Sequence, residues 1–184
     1  MKSFGIRRHW KVQIRAWMVQ TGLCAVALGS LSTSPAEAQQ MAGSWQVKAV
    51  VGVVGFLDNG TDYRFVIGGA VRAYVSPRVA IEPEFLYMRQ NKFLEDVLIQ
   101  ANLVRDFAGN DRVQPYLIGG IGILHRREKF PGARSPSFSS NSLTGGGGTG
   151  VRIQVYDRFF MSPEFRLGTE PLFRVTIAMG TGSK

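Results

Sequence analysis

The chain is poor in the residues that most catalytic and metal centres are built on. It has one cysteine, Cys24, and two histidines, His9 and His125, in 184 residues. Cys24 and His9 both lie within the first 38 positions. The remainder therefore offers no thiol, no disulfide and no cysteine-based metal site, and a single imidazole cannot assemble a transition-metal centre. A chain without thiols suits an oxidising compartment. Also missing is a convincing helical period in any apolar run. The apolar stretch at 19–31 (VQTGLCAVALGSL) is too short, and too rich in Gly, Ser and Thr, to span about 30 Å of hydrocarbon.

Acidic residues are scarce at the start. Residues 1–18 carry Lys2, Arg7, Arg8, Lys11 and Arg15 and no acid. The apolar stretch follows, then STSPAEAQQ with Ala36 and Ala38 at the small positions of an A-x-A site. This pattern predicts a secretory signal peptide over 1–38, cleaved after Ala38, a short segment at 39–43 and one domain at 44–184. The formal charge of +9 is inflated by the leader. Without residues 1–38 there remain 17 basic and 12 acidic residues, or about +5. The basic residues are interrupted by acids and no binding motif accompanies them, which argues against nucleic acid.

What is present is alternation. Period-2 runs occur at 44–56, 63–75, 79–90, 96–107, 113–125, 144–156, 159–168 and 172–180, eight expected strands joined hairpin-fashion. The connections after the second, fourth and sixth strands are short. The one long connection expected is 126–143, polar and basic. IEPEFLY at 81–87 echoes MSPEFRL at 161–167. The first strand is almost wholly apolar, so its facing is ambiguous.

One parity is polar. Arg64, Arg72, Glu82, Glu84, Gln100, Asn102, Arg152, Gln154, Glu164, Arg166 and Arg174 lie mid-strand on it, mixed with Gly68, Ala70, Gly120, Gly122, Gly146, Gly148 and Gly150. Charges among small residues fit a crowded, narrow interior. The opposite parity is aliphatic over a height of about 25 Å, as a lipid-facing band requires. Phe56, Tyr63, Tyr87, Phe107, Tyr156, Phe159 and Phe173 stand near strand ends, where interfacial girdles form. The fold expected is all-β: an eight-stranded antiparallel up-and-down transmembrane β-barrel, polar face inward. A soluble periplasmic barrel, polar face outward, is the alternative.

The segments VQPYLIGGIGI (113–123), GGGTGVRIQVYDRFFMSPEFRLG (146–168) and FRVTIAMG (173–180) resemble the small outer-membrane β-barrel family that includes the OmpA-type transmembrane domain and porin-family, opacity-like proteins. The resemblance spans 44–184. It implies a Gram-negative outer-membrane location, delivery by the outer-membrane assembly machinery, and contact with membrane lipid and lipopolysaccharide. Members usually end on an aromatic residue that the machinery reads; here the last residues are Gly180 to Lys184.

Charges in a narrow lumen must be paired. The expected network sets Glu82, Glu84 and Glu164 against Arg72, Arg152, Arg166 and Arg174. Eight strands leave an interior that side chains just fill, so a plugged cylinder with a structural, envelope or surface-contact role is expected, and a narrow small-solute channel is the alternative. A lipid-modifying enzyme is the further alternative. Some barrels of this kind that deacylate lipid A carry His two residues before Ser, but Arg127 stands two residues after His125. No enzyme activity, cofactor or metal is expected, and the protein is expected to be monomeric. Arg126, Arg127, Lys129 and Arg134 form the expected lipopolysaccharide contact, because guanidinium forks suit phosphates.

Overall fold

The computed structural model describes residues 42–57, 61–89, 94–110, 112–128 and 138–182. The expected leader and its cleavage site, Cys24, Lys129 and Arg134 lie outside the described residues. Within them the chain forms strands β1 (Trp45–Leu57), β2 (Thr61–Ser76), β3 (Val79–Arg89), β4 (Leu94–Asp106), β5 (Val113–Glu128), β6 (Phe138–Gln154), β7 (Phe159–Gly168) and β8 (Phe173–Gly182). Each strand pairs antiparallel with the next, and β8 closes on β1, giving a closed eight-stranded barrel. Closure removes every free edge along the paired length, which is the condition for spanning lipid with strands.

Sheet register fixes the facing. Gln46 lies opposite Arg72, Glu84 opposite Gln100, Asn102 opposite Gly120, and Glu164 opposite Thr176. Even-numbered residues therefore meet even-numbered residues around the wall, up to the register shift that sets Ser76 opposite Val79, and they point inward. Odd-numbered Phe65, Ile67, Ile99, Ile121, Ile123 and Val175 are exposed on the outside. This settles β1, whose sequence was ambiguous: Gln46, Lys48, Val50, Val54 and Phe56 are buried in the lumen. It also corrects one expected girdle position, since Phe56 faces inward rather than toward lipid.

Apart from a register shift between Tyr74 and Ser76 beside the β2–β3 turn, the ladders have two gaps, at related places. Between β2 and β3 the pairing jumps from Ala70 opposite Glu84 to Ala73 opposite Ile81; between β6 and β7 it jumps from Gly150 opposite Glu164 to Ile153 opposite Met161. Pro83 and Pro163 sit in the two gaps, and proline has no N–H to give to a ladder. The echoed Pro-Glu-Phe segments are thus the same device on opposite sides of the barrel.

The long polar connection is shorter than expected. β5 continues as strand to Glu128 and β6 begins at Phe138, so residues 126–128 and 138–143 are strand. Arg126 and Ser142 there are half-buried while Arg127, Ser139, Ser140 and Asn141 are exposed, and a polar rim strand has no apolar face to show in its sequence.

Candidate functional site: the filled lumen and the loop rim

The lumen is layered. On β2 to β5 an apolar layer comes first at the loop rim: Val66, Leu86, Met88, Leu98 and Leu124, in contact with Val50, Val54, Phe56 and Ala178. Toward the chain ends a second apolar layer holds Tyr74, Ala80, Val104, Tyr116 and Ile118. Between them is an ionic layer, all of it 0–6 % exposed: Arg72, Glu82 and Glu84 from β2 and β3, joined by Lys48 from β1, Glu164 and Arg166 from β7 and Arg174 from β8.

Glu82 anchors this layer. Lys48 Nζ lies 2.7 Å from Glu82 Oε1 and Arg72 Nε donates to Glu82 Oε2 at 2.5 Å. Glu84 accepts from Arg166 Nη1 at 3.1 Å and from Arg174 Nη2 at 2.9 Å. Arg166 Nε donates to Glu164 Oε1 at 2.5 Å. Tyr116 Oη donates to Glu164 Oε2 at 2.9 Å, and Asn102 Oδ1 accepts from Arg166 Nη1 at 3.0 Å. Buried ions cost several kcal/mol each unless they are paired and hydrogen-bonded; here each carboxylate touches at least two cations.

Six of the seven residues expected for the network meet in this layer. Arg152 does not. It turns toward the chain ends, where Nη2 lies 3.3 Å from Asp106 Oδ2 and Nη1 lies 3.4 Å from Gln46 Oε1, with further bonds to Tyr74 Oη and Gln114 Oε1. Its opposite position on β7, across the Pro163 gap, is occupied by Ser162, so no glutamate is at hand. Lys48 and Asp106 carry ionic partners that the sequence did not single out. Lys48 is hidden in an apolar run, and Asp106 stands one residue from the end of the expected strand 96–107.

Near the loop rim lies a separate group of lumen residues. Phe56 lies between two guanidiniums, with Arg64 Cζ 4.3 Å and Arg126 Cζ 5.5 Å from the ring centroid. Asp96 is fully buried and is paired with Arg64 and, at 3.5 Å, with Arg126. Arg126 thus points inward. The structure separates it from Arg127, which is exposed on the outside of β5.

His125, also outside and exposed, is hydrogen-bonded through Nδ1 to Asn141 Oδ1 at 2.7 Å. Among the described residues no group of three or more His, Cys, Asp or Glu is placed to hold a metal ion. Arg166 and Arg174 also line a small pocket near the β7–β8 turn, with Gln100, Thr144 and Glu170. Glu170 there accepts from Ser142 Oγ at 2.8 Å.

Residues 23–170 match a family model described as outer membrane protein beta-barrel domain. No curated protein matches the chain. Several solved structures are similar in fold. The N-terminal β-barrel domain of Pseudomonas aeruginosa OprF is 14% identical, with a TM-score of 0.60 over 78% of this chain and 100% of that one. Neisserial surface protein A is 14% identical, with a TM-score of 0.61 over 76% of this chain and 96% of that one. Ail, the attachment invasion locus protein of Yersinia pestis, is 13% identical, with a TM-score of 0.52 over 77% and 98%. At such identities the likeness speaks for fold alone. The family match covers far more than half of the chain and agrees with the closed barrel, its apolar outer face and its polar lumen, so this chain belongs to the outer membrane protein beta-barrel domain family.

Proposed function

We propose that the protein is a closed outer-membrane barrel with a structural and surface-contact role, neither a channel nor an enzyme. One observation carries this reading: the interior is filled in layers, with paired ions between two apolar clusters. A hydrated ion would have to shed water at each apolar layer and break ion pairs between them, a cost of several kcal/mol per step. Planar-bilayer recording of the purified barrel tests this. The expected trace is flat; steady unitary openings would sink the closed-cylinder reading and restore the channel alternative.

The surface contact is assigned to the loop rim. The chain ends and the two-residue turn at 77–78 lie at the opposite rim, and short turns belong on the periplasmic side. Arg127 and His125 then stand on the outer wall near the lipopolysaccharide head groups, with Lys129 and Arg134 close in sequence. Arg126 is left out, because it serves Asp96. The barrel is taken as a monomer inserted by the outer-membrane assembly machinery. Against catalysis, His125 has Asn141 as its partner and Arg127 where a paired nucleophile would stand. A mass change in lipid A on incubation with the protein, abolished by His125→Ala, would overturn that part of the proposal.

A further inference from the structure

The barrel wall is uneven at the loop rim. β6 pairs with β5 without interruption, from Ile153 opposite Val113 to Phe138 opposite Glu128. Its pairing with β7 ends at Gly146 opposite Gly168, and β7 then turns into β8 through residues 169–172. Residues 138–145 therefore rise past β7 with a strand neighbour on one side only. At about 3.3 Å per residue this is about 25 Å of strand.

The direction of the backbone groups along this stretch is fixed. Gln154 N–H donates toward β5, to Arg112 O at 2.7 Å, whereas Val155 N–H donates toward β7, to Phe159 O at 2.9 Å. Gly145 O also looks toward β7 and accepts from Thr169 N–H at 2.9 Å, while Gly145 N–H donates to Thr169 Oγ1 at 3.2 Å. With the β5–β6 register unbroken, even-numbered residues of β6 serve β5 and odd-numbered ones face away. Above Gly145, the N–H and C=O groups of Leu143, Asn141 and Ser139 thus point into the space over the short β7–β8 turn. No backbone partner meets them among the described residues.

Exposed edges are ordinarily blunted by lysine, proline or a bulge. Ser139–Leu143 reads Ser-Ser-Asn-Ser-Leu and has none of these. Next to the edge on the outer wall stand two groups of basic type: Arg127 opposite Ser139 and His125 opposite Asn141, both exposed. A strand laid on the edge would lie about 10 Å from β5, two strand spacings away. Ser139 is short, so the Arg127 guanidinium can reach across it to a carboxylate on that strand.

We propose that this edge takes up an extended segment of a partner protein by strand addition, and that the segment carries Asp or Glu at alternate positions facing the outer wall. Main-chain bonds would supply affinity and the basic row would supply selectivity. A second copy in the same membrane is a poor occupant, because rotation about the membrane normal leaves both β6 strands descending at crossed tilts. The proposal rests on the reading that this rim faces out of the cell.

The test uses the full barrel refolded in detergent and labelled synthetic peptides of alternating Thr and Glu, or Thr and Lys, followed by fluorescence anisotropy. The Glu peptide is expected to bind saturably, with the Lys peptide at least about tenfold weaker. Ser139→Pro and Leu143→Pro each remove an N–H that the β5 ladder does not use. Both should keep normal heat-modifiable migration and lose at least about tenfold in affinity; Arg127→Ala should weaken the Glu peptide selectively. Binding by the proline variants equal to wild type, equal binding of both peptides, or no saturable binding overturns the proposal. So does concentration-dependent dimerisation that the same prolines abolish, which would assign the edge to a second copy. Orientation is read separately, by labelling Ser139→Cys on whole cells: failure there sinks the outward-facing reading and leaves the peptide result standing.

Discussion

Tyr116 of β5 lies flat against Gly150 of β6, its directly paired neighbour across the wall. A Cβ placed on Gly150 would collide with the phenol ring. The same pairing recurs twice, with Phe160 over Gly180 and Phe173 over Gly55. In each case an aromatic ring covers backbone that a glycine leaves bare, and restores the packing that glycine costs a strand. Tyr116 does a second thing: its hydroxyl completes the shell of Glu164.

Gly150→Ala should therefore destabilise the barrel by about 1–3 kcal/mol, as overpacking does. Tyr116→Phe keeps the ring and loses the hydroxyl, and should cost about 1–3 kcal/mol through the stranded Glu164 oxygen. Reversible urea unfolding in vesicles measures both. A neutral Gly150→Ala would mean that the ring is free to move aside.

Glu82 holds Lys48 and Arg72 together and lies 3.7 Å from Arg166. Glu82→Gln should cost about 3–5 kcal/mol, because it leaves buried cations uncompensated. Adding Lys48→Met removes one of those cations and should recover part of the loss, a coupling that a double-mutant cycle reads directly. Additive losses would show that the two residues do not share an interaction.

The outer face can be tested by depth. Ile121 is 69 % exposed, midway along β5, and Val113 is 39 % exposed at its start. Ile121→Arg should cost about 2–4 kcal/mol in a bilayer, and Val113→Arg about 0–1 kcal/mol. The same pair measured in a short-chain detergent should differ little. Equal costs in the bilayer would contradict a lipid-facing band centred near Ile121.

Phe56 fills the rim between Arg64 and Arg126. Phe56→Ala should destabilise by about 3–5 kcal/mol, the usual cost of emptying an aromatic site. It should leave bilayer conductance at zero, since the ionic layer and the second apolar layer lie below. Openings in this variant would identify Phe56 as the plug.

Most of the wall was legible in the sequence, because a strand between lipid and a polar lumen must alternate, and residues such as Ile67, Arg72, Glu84 and Val175 do so. What escaped had physical causes. β1 faces apolar partners on both sides along much of its length, so Lys48 gave no period to read. Asp96 and Asp106 fall within the expected strand 96–107 but near its ends, where too few alternating neighbours remain to mark them as lumen residues; both are buried partners of arginines. Arg126 and Arg127 are adjacent in a basic run, and only the continuation of β5 as strand sends one inside and the other out. The apolar clusters inside the lumen were also missed, since Leu86, Met88 and Leu98 fall on the polar parity and dilute it.

The layering of the interior has a consequence for the medium around the cell. Dissolved salt weakens attraction between charges that water can reach, over a Debye length of about 8 Å at physiological ionic strength. The ionic layer is 0–6 % exposed, so mobile ions have almost no access to it. Its cohesion is insulated from the surroundings, and the barrel should hold together as well in fresh water as in brine, leaving the accessible charges of its rims to respond to the change.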